Sequence, residues 1–274
     1  MQASAADLIK KGKRIVLVPT MGYLHEGHLS LFKIGRRQGD CLIVSIFVNP
    51  AQFAPGEDLA TYPRDLKRDL ALADREQVDI VFTPDAQALY PQHFQTYVSL
   101  EKLPEHLCGL SRPTFFKGVA TVVTKLFNIV RPHIAVFGEK DFQQLAVIRR
   151  MVRDLNMDIE IIGGPIIREP DGLAMSSRNS YLTPDQRSSA LSLNQALQKA
   201  RRMVEDGVRQ SKQVITAVTE LIRSNPETRI DYIAICDPET LDDINTMDRP
   251  VLMALAVYVG NTRLIDNSIL VPEN

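Results

Sequence analysis

The stretch Ile15-Val16-Leu17-Val18-Pro19 is the first of several short apolar runs that alternate with helix-length amphipathic segments up to about residue 168. The later apolar runs are 41–48, 79–83, 134–137 and 159–167. Apolar residues at three- and four-residue spacing mark the segments 29–37, 65–75, 119–130 and 145–155 as amphipathic helices. Strands that alternate with helices predict βαβ units around a parallel sheet that is buried on both faces. The fold class that we expect is α/β, with a Rossmann-like doubly wound parallel sheet.

The pattern changes beyond residue 175. Thr183-Pro184-Asp185 is typical of a helix start and predicts a long helix that continues to about Glu205. A second helix is predicted over 211–223, and strand-like runs follow at 230–236 and 251–259. These elements predict a second, smaller α+β domain at the C-terminal end.

Composition excludes some classes of protein. The chain has 274 residues, is 45% hydrophobic and has a net charge of −1, so it is long enough for one large and one small domain. The charge balance and the absence of a long Lys/Arg run disfavour a nucleic-acid partner. Cys41, Cys108 and Cys236 have no C-x-x-C spacing, which disfavours a disulfide framework or a thiolate metal site. Without a signal-like or membrane-length apolar segment, we expect a cytoplasmic protein with no membrane partner.

Polar clusters follow four of the predicted strands, at the edge where ligands bind in doubly wound sheets. In chain order they are His25-Glu26-Gly27-His28, Asn49 with Gln52, Gly138-Glu139-Lys140-Asp141 and Met175-Ser176-Ser177-Arg178. Two imidazoles at a helix start suit an anion, and the glycine between them permits close approach of the backbone. Hydroxyl, ammonium and guanidinium groups suit further phosphate oxygens. The clusters therefore predict a phosphate-binding site.

Other interpretations of these residues stay open. Gly22 and Gly27 have Walker spacing, but His28-Leu29 replaces the Lys-Ser/Thr of a P-loop. A histidine pair in a turn is often surface or core filler, and a lysine between carboxylates is often a solvated ion-pair face. Their position at strand ends favours a ligand-binding role for the histidines and for Lys140. The amides of Asn49, Gln52 and Gln144 fit a small hydroxy acid and local backbone capping equally well.

Five blocks of sequence together carry a family resemblance. They are 19–28, 47–53, 62–64, 137–141 and 175–179, and in this order they resemble the pantothenate synthetase family over nearly the whole chain. An H-x-G-H motif with a later Ser/Lys/Arg motif is shared more widely, across a nucleotidyltransferase superfamily that includes class I aminoacyl-tRNA synthetases. The five blocks together are specific to the one family.

The resemblance implies an ATP-dependent ligase of pantothenate and coenzyme A biosynthesis. Such an enzyme condenses (R)-pantoate with β-alanine through a pantoyl-adenylate intermediate and releases AMP and pyrophosphate. The resemblance implies ATP as a substrate, Mg²⁺ bound through the ATP phosphates without a predicted protein ligand, and a homodimer. Together with the change of pattern at residue 175, it predicts that residues 1–174 form the Rossmann-like ATP- and pantoate-binding domain and that residues 175–274 form a smaller C-terminal lid domain.

The resemblance also implies roles for individual residues. The catalytic residues would be His28 as proton donor, His25, Lys140, Ser177 and Arg178. The ATP-binding residues would be Met21, Gly22, Tyr23, Leu24, His25, Glu26, Gly27, His28, Gly138, Glu139, Lys140, Asp141, Ile167, Met175, Ser176, Ser177 and Arg178. The substrate-binding residues would be Gln52, Gln144, Asn49 and Thr20. These groups suit the reaction, because attack of a carboxylate on the α-phosphorus builds negative charge that positive donors stabilise.

One position departs from the family pattern, and two rival functions remain. Phe115, in Arg112-Pro113-Thr114-Phe115-Phe116, stands where a histidine is expected. A nucleotidyltransferase that transfers AMP to a phosphorylated small molecule would release a stable adenylylated product. An ATP-sensing module would bind the nucleotide without turnover, but the retention of both histidines, Lys140 and Arg178 disfavours this alternative.

Overall fold

The apolar runs form a parallel sheet, as the sequence predicts. The computed structural model describes residues 1–273. Its five-stranded sheet has the order β3-β2-β1-β4-β5, and all neighbouring strands are parallel. The strands are β1 (Ile15–Thr20), β2 (Cys41–Ile46), β3 (Ile80–Phe82), β4 (Ile134–Gly138) and β5 (Glu160–Gly164). This order is that of a doubly wound sheet, so the expected fold class is confirmed.

Seven helices lie before, between or after these strands in the chain up to residue 154. They are α1 (Gln2–Lys10), α2 (Glu26–Arg36), α3 (Leu66–Arg75), α4 (Ala86–Leu89), α5 (Cys108–Ser111), α6 (Phe115–Val130) and α7 (Phe142–Asp154). Short 3₁₀ helices lie at Pro50–Gln52, Leu103–Glu105 and Glu139–Asp141. The amphipathic pattern of α2 is used as expected, because Leu29 and Phe32 are buried against Val16 and Val18 of β1.

The chain forms two compact units. The first contains the five-stranded sheet and comprises Met1–Glu101, Arg112–Glu139 and Val147–Ile167. The second comprises Lys102–Ser111, Lys140–Ala146 and the chain from Arg168 onward. The second unit thus includes two short segments whose neighbours in the sequence, on both sides, belong to the first unit. The domain boundary that we expect at residue 175 stays a prediction.

The second unit contains a three-stranded antiparallel sheet with the order β6-β7-β8. Its elements are the 3₁₀ helix Ser177–Tyr181, α8 (Pro184–Ala190), α9 (Ser192–Glu205), α10 (Ser211–Arg223), β6 (Thr228–Cys236), β7 (Val251–Val259) and β8 (Thr262–Leu270). The apolar faces of α9 and α10 pack with those of the strands into one core, in which Leu193, Val218 and Leu255 are buried. Among residues 1–273, none of the helices has the length and apolar character needed to cross a bilayer.

Two details of the second unit differ from the predictions. The single helix expected from Thr183 to Glu205 is wrong, because α8 ends at Ala190 and α9 begins at Ser192. The buried hydroxyl of Ser192 donates to the carbonyl of Ser189 at 2.6 Å, a local bond that competes with regular helix geometry. Strand β8 was not predicted at all. Its buried Asp266 and Asn267 interrupt the apolar pattern by which we recognise strands.

Candidate functional site

Two of the predicted clusters leave the sheet from neighbouring strands of the first unit. β1 and β4 are paired, with β2 and β3 beyond β1 and β5 beyond β4. The direction of winding changes at such a pair, which opens a crevice outside the carboxyl ends of the two strands. The residues that follow β1 and the pair Gly138 and Glu139 at the end of β4 lie at this edge. The topology therefore places these predicted site residues where ligands bind in this fold.

The turn after β1 has an unusual backbone conformation. Gly22 has a φ of +82° and Tyr23 a φ of +50°, so two successive residues are left-handed. Glycine adopts this conformation without a steric cost. The N–H of Gly22 donates to the hydroxyl of Thr20 at 3.2 Å, and this hydroxyl donates to the carbonyl of Ser45 at 2.9 Å. Thr20, which we expected to contact substrate, thus uses its hydroxyl to shape the turn.

A buried carboxylate holds the same turn. Asp69 of α3 is 1% exposed, and its two oxygens accept the backbone N–H groups of Tyr23 and Leu24 at 2.7 and 2.8 Å. Sequence reasoning missed this residue. Its signal is helical periodicity, because Asp69 lies four residues before the buried Ala73 and so falls on the inner face of α3.

The two histidines stand at the start of α2. His25 is the N-cap residue and His28 is the third residue of the helix. Their rings lie together, with centroids 4.1 Å apart. The backbone N–H of His25 donates to Nδ1 of His28 at 3.3 Å. Since Nδ1 accepts this hydrogen bond, the neutral ring of His28 carries its proton on Nε2 and can donate it there.

The loop after β2 holds Gln52 through Asn49. Both residues are buried, at 8% and 1% exposure. The Nδ2 of Asn49 donates to Oε1 of Gln52 and to the carbonyl of Gly118, each at 3.1 Å. The Oδ1 of Asn49 accepts the N–H of Ala51 and the hydroxyl of Tyr90. Both ends of the Asn49 amide are therefore used inside the protein.

The amide of Gln52 has a defined orientation as a result. Its Oε1 faces Asn49, and its Nε2 donates to the sulfur of Met21 at 3.1 Å. Met21 and Gln52, predicted for ATP and for substrate respectively, are thus in contact. Gln52 offers its N–H end on this side, which suits a carboxylate or hydroxyl oxygen.

Arg112, three residues before the start of α6, supports the same loop. Its Nη2 donates to the backbone carbonyl of Gln52 at 3.1 Å, and its guanidinium binds both carboxylate oxygens of Glu57 at 2.6 Å. Burial favours the neutral form of Glu57, but the hydrogen bonds and charge of Arg112 outweigh this effect and lower the pKa of Glu57. The Arg112 guanidinium lies over the Phe115 ring, 4.0 Å from its centroid. Phe115, where a histidine was expected, therefore serves as the support of Arg112.

Lys140 belongs to the second unit. Its side chain is 20% exposed, and Nζ lies 3.9 Å from a carboxylate oxygen of Asp141. The Nδ2 of Asn267 on β8 donates to the backbone carbonyl of Lys140 at 3.0 Å. The preceding residue, Asp266, is 3% exposed and binds both terminal nitrogens of Arg168 at 2.6 and 3.0 Å. The unpredicted strand β8 therefore anchors a predicted phosphate ligand.

The serine-arginine motif forms the start of the 3₁₀ helix Ser177–Tyr181. Ser176 is its N-cap and accepts the N–H of Arg178 at 3.3 Å. Asn179 ties this helix down by donating to Oε1 of Glu169 at 2.7 Å, and Glu169 is in turn paired with Arg187 at 2.5 Å. Glu169 and Arg187 were not predicted, because an ion pair between distant residues has no local sequence pattern.

The remaining predicted residues are distributed over both units. Gln144 is half-buried on α7, next to the buried Gln143, whose amide bonds the backbone of Leu103, His106 and Cys108. Ile167 is a half-buried residue at the end of the first unit. The expected ATP residues from Met21 to His28, Gly138, Glu139 and Ile167 fall in the first unit, and the others fall in the second.

Within residues 1–273, His, Cys, Asp and Glu side chains form no group of three that could hold a metal ion.

Comparison with known proteins shows which family this chain is similar to. The family model for pantoate-beta-alanine ligase matches residues 1–269. A pantothenate synthetase of Desulfatibacillum aliphaticivorans is 59% identical over 272 residues, which cover 99% of this chain and 97% of the relative. The crystal structure of pantothenate synthetase from Thermus thermophilus has 45% identity and a TM-score of 0.93, with 98% of each chain covered.

A third comparison includes bound ligands. The structure of pantoate-beta-alanine ligase from Francisella tularensis, described as complexed with beta-gamma ATP and beta-alanine, has 33% identity and a TM-score of 0.81. The likeness covers 98% of this chain and 94% of the other. The resemblance seen in the five sequence blocks is thereby confirmed, and the chain belongs to the pantoate-beta-alanine ligase family.

Proposed function

We propose that this protein joins pantoate to β-alanine in two steps that consume ATP. In the first step a carboxylate oxygen of pantoate bonds to the α-phosphorus of ATP, and the bond to pyrophosphate breaks. In the second step the neutral amine of β-alanine attacks the acyl carbon, and AMP leaves. Support comes from family membership and from the ligands named for the Francisella relative. The observation that carries the proposal is the contact between Met21 and an oriented Gln52, beside the turn that ends at the two histidines.

The residues of the first unit suit the first step. His28 can donate from Nε2, and His25 lies against it at the positive end of α2, so both favour the negative charge of a phosphate. Lys140, Ser177 and Arg178 of the second unit supply an ammonium, a hydroxyl and a guanidinium for the same charge. We assign ATP to these groups and to the other residues named for it above, with Mg²⁺ carried by the phosphate oxygens it prefers.

The hydrogen-bond partners refine the assignment of pantoate. Gln52 offers an N–H end, so we keep it as a pantoate ligand together with Gln144. The polar groups of Thr20 and Asn49 are used inside the first unit. We therefore propose that Thr20 and Asn49 position the binding loops rather than contact pantoate.

The first experiment is a partial reaction. With pantoate present and β-alanine absent, the protein should exchange labelled pyrophosphate into ATP, because adenylate formation is reversible. Adding β-alanine should then give AMP and the amide. A nucleotidyltransferase for phosphorylated substrates would ignore pantoate, and an ATP sensor would exchange with no acid. Folded protein that shows no pantoate-dependent exchange at saturating Mg-ATP would refute the proposal.

Two further expectations follow from family membership alone. We propose that the enzyme is a homodimer and that it works in the cytoplasm. Light scattering on the purified protein would measure the mass, and a monomer at micromolar concentration would contradict the first expectation. Fractionation of the source cells would test the second.

A further inference from the structure

Tyr90 bonds to the loop that carries Asn49 and Gln52, without belonging to that loop. It follows α4, is half-buried, and its hydroxyl lies 2.8 Å from Oδ1 of Asn49, a residue 41 positions earlier in the chain. No sequence motif singled it out. Tyr90 bonds to Asn49, and Asn49 bonds to Gln52. Tyr90 is therefore a candidate for indirect control of substrate binding.

The direction of this hydrogen bond is set by its neighbours. The N–H of Ala51 can only donate, and it meets Oδ1 of Asn49 at 3.3 Å. The carbonyl of Gly118 can only accept, and it meets Nδ2 at 3.1 Å. The amide of Asn49 therefore has one orientation, and Tyr90 must be the donor. Burial raises the pKa of Tyr90 to about 12, so the hydroxyl keeps its proton near neutral pH and is able to donate it.

A chain of hydrogen bonds runs in one sense from Tyr90 to Gln52. Tyr90 donates to Asn49, and Asn49 donates to Oε1 of Gln52 at 3.1 Å. Each donation polarises the next group and strengthens the following bond. Because Oε1 of Gln52 is held by Asn49, Nε2 is the end that faces Met21, at 3.1 Å from its sulfur.

The ring of Tyr90 is held independently of its hydroxyl. It meets the ring of Phe94 edge-on, with centroids 5.0 Å apart, and the ring of Phe47 lies 6.5 Å away. Lys125 lies above it, with Nζ 5.8 Å from the centroid. These contacts are available equally to a phenylalanine. The hydroxyl can thus be removed while the ring stays in place.

We propose that Tyr90 is a positioning residue for pantoate, which acts through Asn49 to keep the N–H end of Gln52 turned toward the substrate. This inference rests on the proposed function, since that function places pantoate at Gln52. Tyr90 itself touches no reacting atom in this scheme. Its effect belongs to the binding of one substrate and leaves ATP untouched.

The test is Tyr90→Phe in the full-length protein, assayed by pantoate-dependent pyrophosphate exchange. We expect KM for pantoate to rise roughly 3- to 10-fold, the usual weight of one buried hydrogen bond, with KM for ATP unchanged. The matched control is Tyr97→Phe, which also removes a tyrosine hydroxyl from a ring that contacts Phe94. Tyr97 is 47% exposed and its ring lies 5.3 Å from that of Phe94, so this variant should keep both KM values.

A second pair of variants tests the route through Gln52. In a Gln52→Ala background the Tyr90→Phe change should leave KM for pantoate unaltered, because the group that Tyr90 orients is gone. Three results would overturn the inference: a KM for pantoate within twofold of the parent, equal rises for pantoate and ATP, or the full effect in the Gln52→Ala background. Absence of exchange in the parent itself would instead refute the proposed function, and Tyr90 would then lose its role with it.

Discussion

Asp69 accepts a hydrogen bond from the backbone N–H of Leu24 at 2.8 Å, across 45 residues of sequence. Its second oxygen accepts the N–H of Tyr23. Burying a carboxylate is costly unless its hydrogen-bonding capacity is used, and here both oxygens are bonded to the turn that leads to His25. The buried carboxylate therefore holds the left-handed backbone at Gly22 and Tyr23, and this turn sets the position of the histidines.

The variant Asp69→Asn should slow adenylate formation roughly 10- to 100-fold, because an amide N–H would face a backbone N–H and displace the turn. Stability should fall by about 1–3 kcal/mol. Pyrophosphate exchange and urea denaturation measure the two effects. Asp65→Asn is the control on the same helix, since Asp65 only caps α3 by accepting the N–H of Arg68 at 3.0 Å. An exchange rate within twofold of the parent would contradict this role of Asp69.

Replacing Lys140 by alanine should leave the fold intact and reduce adenylate formation by roughly 10²–10³, the usual effect of one preorganised donor at a charged transition state. Single-turnover release of pyrophosphate is the measurement. Lys10→Ala, on the exposed side of α1, is a control that should have no effect. Release within threefold of the parent would show that Lys140 does not act on the phosphates.

Gly118 is the point at which α6 touches the loop that carries Asn49 and Gln52. A Cβ there would lie 2.2 Å from the carbonyl oxygen of Ala51, so Gly118→Ala must displace the 3₁₀ helix Pro50–Gln52. We expect KM for pantoate to rise about 10-fold and stability to fall by about 1–3 kcal/mol, with KM for ATP unchanged.

The control for this variant is Gly207→Ala. Gly207 has a φ of +91° and no atoms within 4 Å of a new Cβ, so the variant carries backbone strain alone. It should lose stability and keep both KM values. If Gly118→Ala behaved in the same way, the contact between α6 and the loop would not matter for pantoate.

Alkaline pH should destabilise the protein through Cys236. Burial, aided by the nearby Asp243, raises its pKa from 9.0 to about 12. Between these values the unfolded chain has released a proton that the folded chain still holds, so stability is complete below pH 9 and falls as the pH rises toward 12. The free energy of unfolding should drop by about 2 kcal/mol from this group between about pH 8 and about pH 10.5.

Urea denaturation of the parent and of Cys236→Ala at the two pH values measures this contribution. The variant should lose about 2 kcal/mol less than the parent over the interval. Equal losses would mean that the thiol is as acidic in the folded protein as in the unfolded chain.

Local patterns predicted the parts of the fold that local physics determines. The runs beginning at Ile15, Cys41 and Ile134 are strands because continuous β-branched and apolar residues suit a sheet buried on both faces. Thr183 and Pro184 mark a helix start because cap and first-turn geometry depend on adjacent residues, and the structure shows the capping box there. His25, His28 and Lys140 stood out because they follow buried strands at the edge where ligands bind in this fold. Gln52 was assigned by the family resemblance, because its chemistry alone fitted capping equally well.

The supports of the site could not be found in the same way. Asn267 and Arg187 act across long sequence separations, and each looks like an ordinary polar residue in its own segment. The helical periodicity of Asp69 indicates that it is buried, but not that it bonds to a turn 45 residues earlier. Strand β8 was not predicted, because its buried polar residues Asp266 and Asn267 break the apolar pattern by which a strand is recognised. Which end of the Gln52 amide faces Met21 likewise depends on Asn49, which Tyr90 and Gly118 orient, and no local pattern connects these two residues to Gln52.

The bond between Asn267 and Lys140 also has a consequence for the order of synthesis. These residues are 127 positions apart, so the ribosome must add every residue between them before the lysine can gain its anchor. Domains generally fold in the order in which they are made, and the five-stranded sheet is complete in sequence at Gly164. A nascent chain can therefore hold a folded sheet with its histidine turn while its lysine is still unanchored. Only after β8 has emerged and paired can that lysine gain its anchor.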